Sequence, residues 1–230
     1  MPYQSQSQPA EDWETRRPAS RLNTSDQVAH AISVGILKRQ YLIGQRLTEA
    51  ELTREHGVSR STVREALKTL AATGVVELIP HRGAIIRSFT RTDAEDLLQL
   101  LEVLCGLAAR LAAQRIGIGE NRARFETVTR QLLDHEGDEG LRRMLDRRAR
   151  FYQTLFEIAD NAELNRAVPA ARAHLYRAQM YASATHTDLK AMAAEYRAIA
   201  DAILDGDTGK AEARARRHIE NTMRRTLPRL

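Results

Sequence analysis

IGQRLTEAELTREHGVSRSTVREALKTLAATGVVELIPHRGAII, residues 43–86, fixes how the rest of the chain is read. Within it, Glu49 to His56 has the length of a short helix, with Leu52 facing inward and Gly57 as its stop. Ser59 opens a second helix, Arg60 to Ala72, with Val63, Leu67 and Leu70 on one face and Gly74 at its end. Val75 to Ile79 and Ala84 to Ile86 are β-prone, and Pro80-His81-Arg82-Gly83 between them has turn chemistry. Upstream, Ser25 to Gln40 carries Val28, Ile32, Ile36 and Leu37 at helical spacing, capped by Thr24 or Ser25. Three helices and a two-stranded wing predict a winged helix-turn-helix over residues 23–88.

The second of the two helices in that stretch carries the chemistry for reading DNA. Unpaired N–H groups at a helix N-terminus attract phosphate, and the hydroxyls of Ser59, Ser61 and Thr62 lie beside them. Arg60 and Arg64 are four apart and share a face, and an arginine fork matches guanine O6 and N7. The wing tip holds His81, Arg82 and Gly83, with no acidic residue from Ile79 to Arg87. Such a tip suits the backbone or the minor groove. Arg46 joins the candidates, either as a DNA contact or as an ion-pair partner inside the domain.

Outside this unit the chain turns helical. Its 230 residues are 43% hydrophobic and only 5% aromatic, with a net charge of +5, a balance that favours helix and admits an anionic partner. Asp93 to Arg115, Asn121 to His135, Leu141 to Ala159, Ala162 to Ala184, Asp188 to Asp205 and Thr208 to Thr226 show apolar i, i+3, i+4 spacing. Pro169 should kink or split the fourth of these. Residues 89–230 therefore read as an all-α bundle, making the chain mainly α, and residues 1–22 as a polar, disordered arm. No apolar run reaches the ~18 residues of a membrane span. The lone Cys105 excludes an internal disulfide, which fits a cytoplasmic protein, and its apolar surroundings predict a buried thiol.

Residues 43–86 resemble the DNA-binding domain of the GntR family of transcription regulators. The resemblance rests on Gly44, Arg46-Leu47, Glu49, Glu51-Leu52, Gly57-Val58-Ser59-Arg60, Val63-Arg64-Glu65-Ala66-Leu67, Leu70, Gly74, Pro80 and Arg82-Gly83. It implies DNA contacts from Ser59, Arg60, Ser61, Arg64 and the wing tip. The helical part is similar to the FCD effector domain of the FadR-like branch. Three segments carry that likeness: residues 107–113, residues 151–155 with 159–164, and residues 195–219.

The departures from that branch bear on the effector. Many FCD domains hold a divalent metal with one Asp and three His. Those places map onto Arg148, Tyr152, Tyr196 and His218. A guanidinium cannot ligate a metal and a phenol seldom does, so the reading is metal-free and without cofactor. The Arg and Glu often found on the family's first effector helix map onto Leu101 and Cys105. The resemblance then implies a more apolar effector cavity, in which Arg148 meets a carboxylate and the tyrosines an aromatic ring or hydroxyl. The alternative is a filled cavity with Tyr152 and Tyr196 as packing.

The resulting expectation is a DNA-binding regulator and not an enzyme, because no nucleophile–base pair or phosphate-cradling loop is visible. It is read as a homodimer on double-stranded operator DNA, a repressor of a metabolic operon answering a small organic effector. A ligand-independent DNA-binding protein stands as the second reading.

Overall fold

The computed structural model describes residues 23–80, 82–134, 141–180 and 184–230, with side chains for all but 141–143, 170 and 171. The sequence-predicted arm, His81 and the expected end of the second helical segment at His135 lie outside the described residues.

Helix α1 (Thr24–Leu37) is capped one residue earlier than the sequence suggests, by Asn23, whose side chain accepts from the Asp26 N–H. Such a cap contributes about 1 kcal/mol. Strand β1 (Arg46–Leu47) follows, then α2 (Glu49–His56), α3 (Arg60–Ala72), β2 (Val76–Ile79) and β3 (Gly83–Ile86). Thr48 and Glu51 form a capping box on α2, and Gly57 ends it at φ 65°, where only glycine is unstrained. Ile32, Ile36, Leu47, Leu52, Val63, Leu67, Leu70 and Ile86 are buried and tie these elements together.

The wing is broader than the sequence predicts. Its sheet has three strands in the order β1-β3-β2, all antiparallel, with Arg46 opposite Ile85 and Val76 opposite Ile86. Two residues are too short to show alternation, so β1 has no periodic signal in the sequence. Gly83 makes the pairing possible. Its φ is +92°, and a Cβ there would stand 2.1 Å from the Leu47 carbonyl oxygen.

The second part of the chain is helical. It comprises α4 (Arg91–Arg115), α5 (Asn121–Leu133), α6 (Leu141–Ala159), α7 (Ala162–Ala167), α8 (Ala170–Met180), α9 (His186–Leu204) and α10 (Thr208–Thr226), with a last 3-10 turn at Leu227–Arg229. Pro169 splits α7 from α8, because it offers no N–H to continue the ladder. Helix α4 is the spine and lies along α10. Ala108, Ala109 and Ala112 on α4, with Ala211 and Ala215 on α10, are buried and let the two backbones approach closely. Helices α6, α8 and α9 also pack on α4, placing side chains from five helices around one interior.

The two parts meet through α8, which packs on α1. Between them, the Phe89 N–H donates to Gln179 Oε1 at 2.7 Å, and Gln179 Nε2 donates back to the Phe89 carbonyl at 3.0 Å. The Phe89 ring stands edge-on to Tyr176 at 5.8 Å and lies 5.4 Å beneath the Arg172 guanidinium. No helix among the described residues is long and apolar enough to cross a membrane.

Candidate functional site

Helix α3 begins on the surface. Ser59 is its N-cap, accepting from the Thr62 N–H at 3.1 Å, with the Ser61 and Thr62 hydroxyls 2.7 and 2.8 Å away. The N–H groups of the first turn that the cap does not reach have no partner within the helix. Arg60 is exposed and has no ion pair among the described residues. Arg64, its side chain 61% exposed, donates from Nε to Glu49 on α2 at 2.7 Å. Only Nε is engaged there, so both terminal nitrogens remain for a base edge.

The wing residues divide by task. Arg46 donates from Nε and Nη2 to the Arg82 carbonyl at 3.1 and 3.0 Å, bracing the turn. Of the two readings open for Arg46, the ion pair is not seen among the described residues; its internal partner is this carbonyl, and the DNA contact is untouched by it. Gly83 has the steric reason given above. Arg82 is exposed at the tip. His81 lies outside the described residues.

In the helical part, the residues singled out from sequence gather. Arg148 and Tyr152 come from α6, Tyr196 from α9, His218 from α10, and Leu101 and Cys105 from α4; all six are buried. The Arg148 guanidinium lies 5.2 Å from the Tyr196 ring centre. The Tyr196 ring is 6.1 Å from Tyr152 and 4.6 Å from the His218 imidazole. A small cavity of about 50 Å³ is lined by Leu101, Arg148 and Tyr152, among others. Tyr196 and His218 are not on its wall. They stand behind it, with the Tyr196 hydroxyl and His218 Nε2 buried and lacking a hydrogen-bond partner among the described residues.

A charged cluster orients that backing layer. Glu195 lies 2.6 Å from His218 Nδ1 and accepts from Asn221 at 2.8 Å and from both terminal nitrogens of Arg225 at 2.7 and 2.9 Å. Burial pushes the Glu195 carboxyl up, but hydrogen bonds from Arg225 and His218 outweigh it and hold the group at about 2. Burial also lowers the His218 pKa, against the pull of Glu195.

The residues do not fit the divalent metal of the FCD domain. Among the described residues no three His, Cys, Asp or Glu side chains are grouped so that they could hold a metal ion. The one histidine at a family ligand position has a guanidinium near enough to help depress its pKa, where the family has carboxylate and imidazole.

Sequence reasoning missed Arg177. It lies on α8 and lines the cavity, with its guanidinium 5.1 Å from the Tyr152 ring centre. Its only signal is its place on a stripe with Ala173 and Met180, which also line the cavity. The Arg225–Glu195–His218 link was equally hidden, because it bridges two helices.

Fold and sites together define a winged helix-turn-helix DNA-binding regulator with an all-helical second domain. Residues 24–86 match the model described as "Bacterial regulatory proteins, gntR family", and residues 96–221 match that of the FCD domain. The chain belongs to the GntR family of bacterial transcriptional regulators, in its FadR-like branch. It is 28% identical over 208 residues, 89% of both chains, to the "Probable D-xylose utilization operon transcriptional repressor" of Paenarthrobacter nicotinovorans. It is 30% identical over 189 residues to an uncharacterized HTH-type transcriptional regulator of Streptomyces ambofaciens, covering 80% of this chain and 77% of the other. Its fold is that of E. coli McbR/YncC, with a TM-score of 0.77 at 14% identity over 87% of this chain and 95% of that one.

Proposed function

We propose that this regulator is a cytoplasmic, ligand-responsive repressor that holds a pseudo-palindromic operator as a homodimer and releases it when a small organic acid enters the helical domain. The carrying observation is the position of α8. One face lines the Arg148–Tyr152 cavity through Arg177 and Met180, and the helix also packs on α1 and grips Phe89 through Gln179. A ligand that favours one setting of α8 therefore favours one placement of the reading head. Arg148 meets the ligand's carboxylate and Tyr152 its ring or hydroxyl, while Tyr196 and His218 back the site. The naming of the Paenarthrobacter relative as a repressor supports the sign.

On DNA, α3 enters the major groove with Arg60 and Arg64 toward bases, Ser59, Ser61 and Thr62 toward phosphate, and Arg82 on the wing at the backbone. Arg46 and Gly83 shape the wing that makes this contact.

The test is operator affinity by fluorescence anisotropy, at fixed salt, against a panel of organic acids. At least one acid should weaken binding tenfold or more. If none alters it and none raises the melting temperature, the second reading stands: a ligand-independent DNA-binding protein with a filled cavity. The small volume beneath Arg148 is what favours that alternative.

A further inference from the structure

A second cavity opens beside the first, on the other side of Tyr152. It measures about 340 Å³, against about 50 Å³ for the chamber beneath Arg148. Size decides what each can hold. A cavity of ~150 Å³ accommodates benzene. The smaller chamber therefore takes a group no larger than a carboxylate. The larger one falls within the ~300–1,000 Å³ of small-molecule sites. The two share walls, since Leu101, Tyr152, Ala173 and Arg177 line both.

Arg148 lines the smaller chamber and Arg177 lines both, while the acid on the smaller chamber's wall, Asp188, is engaged by Arg229 and Thr185. Arg177 has no carboxylate partner among the described residues. Burial, and after it the nearby Arg148, lower its pKa, and no carboxylate is among the groups that raise it. The rim carboxylate of Glu157 is engaged by Arg124 and Gln153. Burial and Arg177 hold the His174 imidazole down at about 3, so it adds no charge at pH 7. Beyond this junction, Leu101, Cys105, Phe156 and Val168 give the larger chamber an apolar lining.

We propose that the two chambers form one bipartite site, in which a carboxylate sits against Arg148 and Arg177 and an aryl or short alkyl body fills the chamber lined by Leu101, Cys105 and Val168. The proposal rests on the ligand-responsive reading and narrows it to amphipathic monocarboxylates. Two guanidiniums satisfy one carboxylate through charge-assisted hydrogen bonds, and the body gains by leaving water. Small polar acids place their carboxylate in the first chamber but bring no apolar body to the second, and forgo that gain.

Calorimetry with butanoate and 4-phenylbutanoate tests it. The full-length protein should bind 4-phenylbutanoate at least tenfold more tightly than butanoate. Val168→Trp, at a partly buried turn that borders only the larger chamber, should erase the preference by weakening 4-phenylbutanoate at least tenfold and butanoate, with its shorter body, much less. Arg177→Met should weaken both acids at least tenfold. Arg177→Lys, which keeps the charge, should retain the preference at reduced affinity and guards against a misfolded Met variant. Equal affinity for the two acids, a preference that survives Val168→Trp, or failure of both acids to bind overturns the proposal. If both fail while another metabolite releases the operator, ligand response stands and only the bipartite site falls.

Discussion

At the residue scale, two partly buried groups give the protein a particular acid sensitivity. His174 on α8 titrates near 3 instead of its usual 6.5, because burial, Arg177 and His30 on α1 all oppose its charge. It is neutral when folded and protonated when unfolded below about pH 6.5. Its contribution is thus complete above that pH and is lost as pH falls toward 3. Glu195, held at about 2, acts in a lower window that begins near its unfolded value of about 4.3. The melting temperature should fall between pH 6.5 and 4.5, and His174→Gln should make that limb shallower, leaving the share of His218, whose pKa burial also lowers, and not altering the limb below pH 4. A wild-type melting temperature that does not change from pH 7.5 to 4.5 would contradict the assignment. Neither effect is legible in the sequence. His174 there is one histidine in a helix, and its neighbours come from other elements.

At the element scale, periodicity made most helices readable, and α2, α3, α6 and α10 have the ends expected from it. Departures occur where one residue or a tertiary contact decides. Pro169 ends one helix and starts another. β1 exists only because β3 offers it partners. Gly83 is where those strands meet, so the wing has a sharp point of failure. Gly83→Ala should cost about 1–3 kcal/mol in denaturant-monitored stability, through its positive φ and the clash with the Leu47 carbonyl. Operator affinity should fall with it. Unchanged stability would mean that β1 does not pair with β3 in solution.

At the scale of the whole molecule, one reading head touches too few bases for a useful specificity ratio, so the account requires two. Helix α4 offers a surface for the second copy. Leu100 and Val103 are 46% and 56% exposed, and Leu104, Leu107 and Leu111 continue the stripe, only partly buried. Paired across a twofold axis, the stripe would cover itself. Val103→Glu should therefore shift the protein toward monomer in light scattering at micromolar concentration, with its melting temperature little reduced. A monomeric wild-type protein would remove the dimer from the account.

The two-part organisation was legible in the sequence because glycines, caps and apolar stripes recur at local spacings. The junction through α8 was not. Gln179 and Phe89 are 90 residues apart, and no local pattern joins them.

On the proposed reading, α3 contacts operator bases through Arg60 and Arg64. The most direct measurement is fluorescence anisotropy, at fixed salt, on a duplex selected by the wild-type protein from genomic DNA. Each arginine changed to alanine should cost about 1–3 kcal/mol of specific binding, and the double variant should bind this duplex no better than random DNA. The melting temperature should hold, because an exposed pair such as Arg64–Glu49 contributes about 0–1 kcal/mol. Undiminished affinity in the double variant would contradict the assignment of α3 as the recognition helix.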